Sequence, residues 1–297
     1  MLGKLKKPDQ SYLNDTITYW EPEIFRKLLY DTVSRDDQLF ILKHLPAACR
    51  SGNPEMVRLF LTLGADANPS GGHPLIACCA SAPLEAVQML VKAGADVKNW
   101  KDVPPTWIAA KKNRPDVLEF LLKGGAQMDA KEEESGNTAL LEAVSADPSQ
   151  DRLVEILLKH GAQVNVASKN GMTALMKASV MGRVKAAEML LDKGADVNAR
   201  FPKNGRTALC MASEVGSVAV AKLLLERGAD IDSADDEFGA TPLMIACHNN
   251  HVPVVKLLLE KKANVNIQSK KGGTALSVAT RKGNTEIVKL LRKSGAR

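Results

Sequence analysis

Two histidines three residues apart, His248 and His251, and five cysteines, Cys49, Cys78, Cys79, Cys210 and Cys247, are the side chains of this chain best suited to hold a metal or attack a substrate. A protein zinc site gathers three or four such ligands, usually from short, regular spacings. Here Asn249 and Asn250 lie between the histidines and mark a turn, and no acidic or cysteine partner follows at ligand spacing. His44, His73 and His160 occupy unrelated positions, and the cysteines show neither metal nor disulfide spacing. The glycines recur too regularly to form a phosphate loop, because each has a turn or cap role. No catalytic, cofactor-binding or metal-ligating residues are expected, and no cofactor or small-molecule substrate.

The elements that carry these side chains read most clearly in Gly171–Asn204. Thr173 suits a helix N-cap, since its hydroxyl can accept a backbone N–H. Ala174, Leu175 and Ala178 give a short helix with a small apolar face, and Gly182 ends it. A second helix follows with Val184, Ala187, Leu190 and Leu191 at helical spacing. Gly194 falls where the chain must turn left-handed to leave that helix. The polar stretch Asp196–Asn204 then returns the chain as a hairpin-like loop. Such a unit cannot bury its apolar faces alone and must stack on copies of itself.

The copies are present. A Gly-x-Thr start recurs at Gly136, Gly171, Gly205, Gly239 and Gly272, spaced by 35, 34, 34 and 33 residues. A Gly-Ala step closes the second helix at Gly64, Gly94, Gly125, Gly161, Gly194, Gly228 and Gly295, with Lys262-Ala263 in the remaining slot. The TAL starts, TPLMIA at Thr241–Ala246 and GADVNA at Gly194–Ala199 resemble ankyrin repeats over Phe40–Arg297. The resemblance implies an all-α solenoid of about eight helix–turn–helix–hairpin units across residues 41–297. Residues 1–40 do not fit the repeat. Glu21–Ser34, with Ile24, Phe25, Leu28 and Leu29 as an apolar stripe, reads as a helical cap beside Tyr12 and Trp20; a binding or sorting arm is the alternative.

Composition narrows the function. The aromatic content is 4%, as short helices packed through small side chains require, and no apolar run is long enough to span a membrane. The N-terminal MLGKLKKPDQ lacks the apolar core of a secretory signal. Cys49, Cys79 and Cys247 take the slot of Ser179, and Cys78 that of Ala178, so they read as buried, inert thiols in a reducing compartment. Residues 251–297 hold 11 Lys and Arg against 2 Glu, so this end alone carries about +9 of a chain whose net charge is +6.

Individual repeats depart from the pattern. His73 replaces the capping threonine of the second, where an imidazole hydrogen bond could substitute for the hydroxyl. Pro104 does so in the third. The fourth gains two residues within Ser145–Gln150, and Asn250 takes the place of the helix-breaking glycine in the seventh. Asp96, Asp196 and Asp230 open their hairpins, where a short carboxylate can accept nearby backbone N–H groups. Lys289, Arg292 and Lys293 give the last helix a polar outer face suited to a closing cap.

Surface is what remains for function. In the resemblance, hairpin tips and exposed first-helix positions line a concave face. Mapped here, that face offers Trp100, Lys101, Trp107, Lys111 and Lys112 in the third repeat, Met172 and Met181 in the fifth, Arg206 in the sixth, Phe238 in the seventh, and Lys270 and Arg281 in the eighth. Trp is enriched at binding hot spots, but Trp107 could equally pack inward. The methionines could be an adaptable contact or plain core, and the basic residues a site or a solvated end. The function expected is a non-catalytic protein-binding module or adaptor with a protein partner, monomeric and cytoplasmic. The match also resembles stand-alone bacterial ankyrin effectors delivered into a host cell. The alternative is binding of nucleic acid or an anionic surface through the basic C-terminal repeats, which lack interleaved aromatics for base stacking.

Overall fold

The computed structural model describes residues 22, 23, 26, 42–69, 73–98, 100, 102–146 and 151–297. The cap expected at Glu21–Ser34 lies outside them except for Pro22, Glu23 and Arg26, as does Lys101. The chain forms two compact units, Met1–Glu133 and Glu134–Arg297. The first contains three helix pairs: α1 (Leu45–Arg50) with α2 (Pro54–Thr62), α3 (Pro74–Ser81) with α4 (Leu84–Lys92), and α5 (Pro105–Lys111) with α6 (Pro115–Lys123). The second contains five: α7 (Ala139–Ser145) with α8 (Asp151–Lys159), α9 (Ala174–Val180) with α10 (Val184–Asp192), α11 (Ala208–Val215) with α12 (Val218–Glu226), α13 (Pro242–His248) with α14 (Val252–Glu260), and α15 (Ala275–Arg281) with α16 (Thr285–Lys293). The described residues contain no β-strand. Within each unit, first helices pack on first helices and second on second, so each unit is a stack of repeats.

Local chemistry explains the regular units. Thr138, Thr173, Thr207, Thr241 and Thr274 each accept the N–H three residues on, leaving fewer unpaired donors at the helix start. Leu175, Ala178, Ala186, Ala187 and Leu190 of the fifth repeat are buried. Val184, expected on that face, is 39% exposed instead, because the buried stripe of α10 runs through 186, 187 and 190 and Val184 stands off it at the first turn. At the end of α10, Gly194 has φ +83° and the Ala195 N–H donates to the Leu190 carbonyl, the Schellman closure.

Two sets of hydrogen bonds tie repeat to repeat. At the hairpin base, the Asn198 side chain donates to the Gly228 carbonyl (3.2 Å) and accepts the Asp230 N–H (2.8 Å). Asn68, Asn165 and Asn266 make the same clasp on the following repeat. Asp96, Asp196 and Asp230 accept the N–H two residues on, as their position suggests. At the hairpin tips the Lys169 N–H reaches Ser135 O, Asp236 N–H reaches Asn204 O, and Lys270 N–H reaches Phe238 O. A Cβ on Gly136 would stand 2.7 Å from the Lys169 nitrogen, so only glycine allows the tips to approach this closely.

The irregular repeats use other devices. His73 makes no capping hydrogen bond; its ring packs edge-on against Trp100 with centroids 5.1 Å apart. Imidazole is too long to double back onto the first turn, and an aromatic neighbour claims it. With Pro104 at the cap of α5, the next hydroxyl, Thr106, is buried and donates to the Gln127 carbonyl. The five cysteines are buried free thiols, and burial pushes that of Cys247 up to about 12. After α7, Arg183 is almost wholly buried; its guanidinium donates to the Val144 and Ala146 carbonyls and to the Asp151 carboxylate at 2.5 Å. One side chain from the next repeat thus closes the end of α7 and holds the start of α8, on either side of the two-residue insertion.

Two tests follow. Removing one partner of a buried ion pair commonly costs about 3 kcal/mol, so Arg183→Met is expected to speed hydrogen exchange of α7 and α8 amides more than a hundredfold. Arg183→Lys, keeping the charge without the fork, should recover part of the protection. Lys262 sits where the other repeats place glycine and has φ +65° with its side chain exposed. The left-handed conformation costs a non-glycine residue roughly 1 kcal/mol or more, so Lys262→Gly should raise the urea midpoint of the C-terminal repeats by the equivalent of about 1 kcal/mol.

Candidate protein-binding site

The candidate residues fall into three places. In the first unit Trp107 is only 8% exposed and belongs to the core of α5, with the Lys111 ammonium 4.4 Å from the centre of its ring. Trp100 is half-buried against His73, and Lys112 is exposed just beyond α5. The indole N–H groups of both tryptophans are buried and find no acceptor among the described residues. The structure therefore brings Trp107 and Lys111 together and leaves little aromatic face outward.

In the second unit Met172 lines a shallow groove of about 370 Å³ with Glu134, Asn137, Ser145, Lys169 and Lys177. Its backbone is locked by Ser168 and Asn170, whose side-chain oxygens accept the Met172 N–H. Met181 lies just past the end of α9, outside that groove and 46% exposed.

A larger groove, about 500 Å³, brings Arg206, Phe238 and Arg281 together. Met244 and Ile245 of α13 and Val278 of α15 form its floor, and His248, Asn249, Ser269, Lys271 and Ser277 stand around it. Phe238, on the hairpin between α12 and α13, is 46% exposed at the rim. Its position follows from Asp235, a buried carboxylate that accepts the N–H groups of Phe238 (2.8 Å) and Ala240 (3.1 Å) and so folds the tip around itself. Arg206 neutralises Asp235 through Nε at 3.3 Å and reaches Glu214 at 2.9 Å. Burial opposes its charge, but Glu214 and Asp235 outweigh burial and hold the guanidinium above its usual pKa. Arg206 is thus spent on positioning the Phe238 hairpin. Lys270 is likewise engaged, its ammonium donating to the Asp236 carbonyl of the neighbouring tip.

The free charge of the groove lies elsewhere. Lys271, Arg281 and the adjacent Lys282 are exposed and make no ion pair among the described residues. His248 is held below its ordinary 6.5 by burial and by repulsion from Lys282 and Arg281, so it is neutral at physiological pH. The arrangement offers an apolar floor, an aromatic rim and cations, which suits a peptide surface. Among the described residues no group of three or more His, Cys, Asp or Glu is placed to hold a metal ion, and no helix is long and apolar enough to cross a membrane.

Residue types alone did not mark Asp235, Met244 and Ile245 as part of the site. Asp235 had a signal: Ser168 and Ser269 stand at the equivalent point of their hairpins, and both accept an N–H across the tip. Met244 and Ile245 read as ordinary helix-face residues in TPLMIA.

Comparison with known proteins accords with this geometry. A model of three successive ankyrin repeats matches residues 18–99, 106–201 and 232–297, and a single-repeat model matches 204–236. A putative ankyrin repeat protein of Fowlpox virus is 36% identical over 123 residues, 39% of this chain and 35% of that protein. The B-cell lymphoma 3 protein homolog of Mus musculus is 33% identical over 152 residues, 48% of this chain and 34% of its own length. The human 2-5A-dependent ribonuclease is 43% identical over 70 residues, 24% of this chain and only 9% of that enzyme. The chain spans about a third or less of the length of these curated relatives. Ankyrin repeats are generally non-enzymatic scaffolds for protein–protein interaction, and on the extent of the repeat match, as on its fold, this chain belongs to the ankyrin-repeat family.

Proposed function

We propose that the chain is a non-catalytic protein-binding module whose partner seats in the groove of α13 and α15 beneath the Phe238 hairpin. One observation carries the reading: Phe238, a large aromatic side chain, is held 46% exposed by the buried Asp235 carboxylate and its partly buried partner Arg206 rather than folded into the core. A preformed rim of this kind loses little conformational entropy on docking, and aromatic residues are enriched at interfaces. The five buried thiols fit a reducing compartment such as the cytoplasm. The unpaired Lys271, Arg281 and Lys282 favour a second reading, attraction of nucleic acid or another anionic surface.

Affinity capture from a lysate of the native source separates the two. Phe238 is 46% exposed and stands at the rim rather than in the core, so the circular dichroism of Phe238→Ala should match wild type while retention of the partner protein falls at least tenfold, a loss of about 1.4 kcal/mol. Equal retention would exclude Phe238 as an anchor. Phosphate-driven binding would instead ignore Phe238→Ala and weaken steeply with salt. Because His248 is already neutral, partner binding should stay flat between pH 8 and pH 7.

A further inference from the structure

Counting from the last four capping threonines, the last exposed positions of the first helices form two adjacent rows across α9, α11, α13 and α15. Seven residues on stand Val180, Glu214, His248 and Arg281; eight on stand Met181, Val215, Asn249 and Lys282. The packing of α9 on α11, α11 on α13 and α13 on α15 places these side chains in sequence. The repulsion that Arg281 and Lys282 exert on His248, and the groove shared by Glu214, His248 and Arg281, show them to be neighbours.

The rows change character along the stack. At α9 and α11 they are apolar: Val180 is 39% exposed, Met181 46% and Val215 43%. Glu214 at that end is already engaged by Arg206. Over α13 the rows are polar and neutral, through His248 and Asn249. At α15 they are cationic, with Lys271 of the preceding hairpin adding to Arg281 and Lys282. A nucleic acid would meet cations only at one end and exposed valine and methionine at the other. An extended protein segment of matching polarity would satisfy both.

Building on the proposed protein-binding role, we infer that the occupant is an extended acidic segment with its apolar cluster over α9–α11 and its carboxylate cluster over α15. Packed helices stand about 8–10 Å apart, so three steps from α9 to α15 cover roughly 24–30 Å. An extended chain advances about 3.3 Å per residue, so a carboxylate over α15 follows the apolar residue over α9 by roughly seven to nine positions. Carboxylates at that distance meet Lys271, Arg281 and Lys282 while the apolar residues cover Val180, Met181 and Val215.

Selection of a random 16-residue peptide library on the 297-residue chain tests this. Enriched peptides should carry an apolar and an acidic cluster at that separation. Their affinity should fall at least tenfold when the spacer is shortened to two residues, on Val180→Ser/Met181→Ser, and on Lys271→Glu/Arg281→Glu/Lys282→Glu. All five positions are exposed, and unchanged circular dichroism would show that the variants fold. Peptides without the two clusters, or indifferent to spacer length, would overturn the inference; if Phe238→Ala still abolished their binding, the groove reading would survive. Peptides indifferent to every substitution, or no enriched peptide while an anionic oligonucleotide binds, would overturn both.

Discussion

A chain that reverses direction at every repeat exposes backbone N–H and C=O groups at each reversal, and those groups need partners. In this protein the asparagine that closes the Gly-Ala-Asp step supplies them across the repeat boundary, one amide giving a donor to the next glycine carbonyl and an acceptor to the next aspartate N–H. Helix packing alone would leave neighbouring repeats free to slide, because small alanine faces offer few interlocking shapes. The paired hydrogen bond sets the register of one hairpin on the next. With the register fixed, the first-helix positions line up, and a row of side chains becomes a surface with a chemical direction.

That surface owes its usable charge to what the scaffold has already consumed. Arg206 and Lys270 are cations by sequence but internal ties by structure, holding the Phe238 tip and its neighbour. Arg183 is hidden altogether, closing the end of one helix and the start of another. The exposed cations left over are concentrated at α15, while the exposed apolar side chains are concentrated at α9 and α11. Distribution, more than total charge, sets what such a surface can recognise.

The fold was legible because each repeat announces itself three times, by a capping threonine, a left-handed glycine and a small-residue helix face. The site was less legible. Exposed positions such as Phe238 and Arg281 could be picked from slot counting, but the roles of Arg206 and Lys270 depend on partners about 30 residues away, which slot counting does not pair. Trp107 shows the same limit: its spacing permits either direction, and the tight first helix of its repeat draws it inward under Lys111. His73 occupies a cap position in the sequence, but an aromatic neighbour decides its contacts.

The boundary at Asp232 differs from the two beside it, which carry Asn198 and Asn266. Asp232 holds the asparagine slot ahead of α13; its carboxylate accepts the Asn264 N–H at 3.0 Å but, lacking an N–H, donates nothing to the Lys262 carbonyl. The base of that hairpin is therefore tied once where its neighbours are tied twice. At the tip of the same joint, Lys270 donates its backbone N–H to the Phe238 carbonyl and its ammonium to the Asp236 carbonyl. The ties at this joint are thus concentrated on the groove side. Strain between the last two hairpins therefore falls first on the singly tied base and last on the edge that borders the groove.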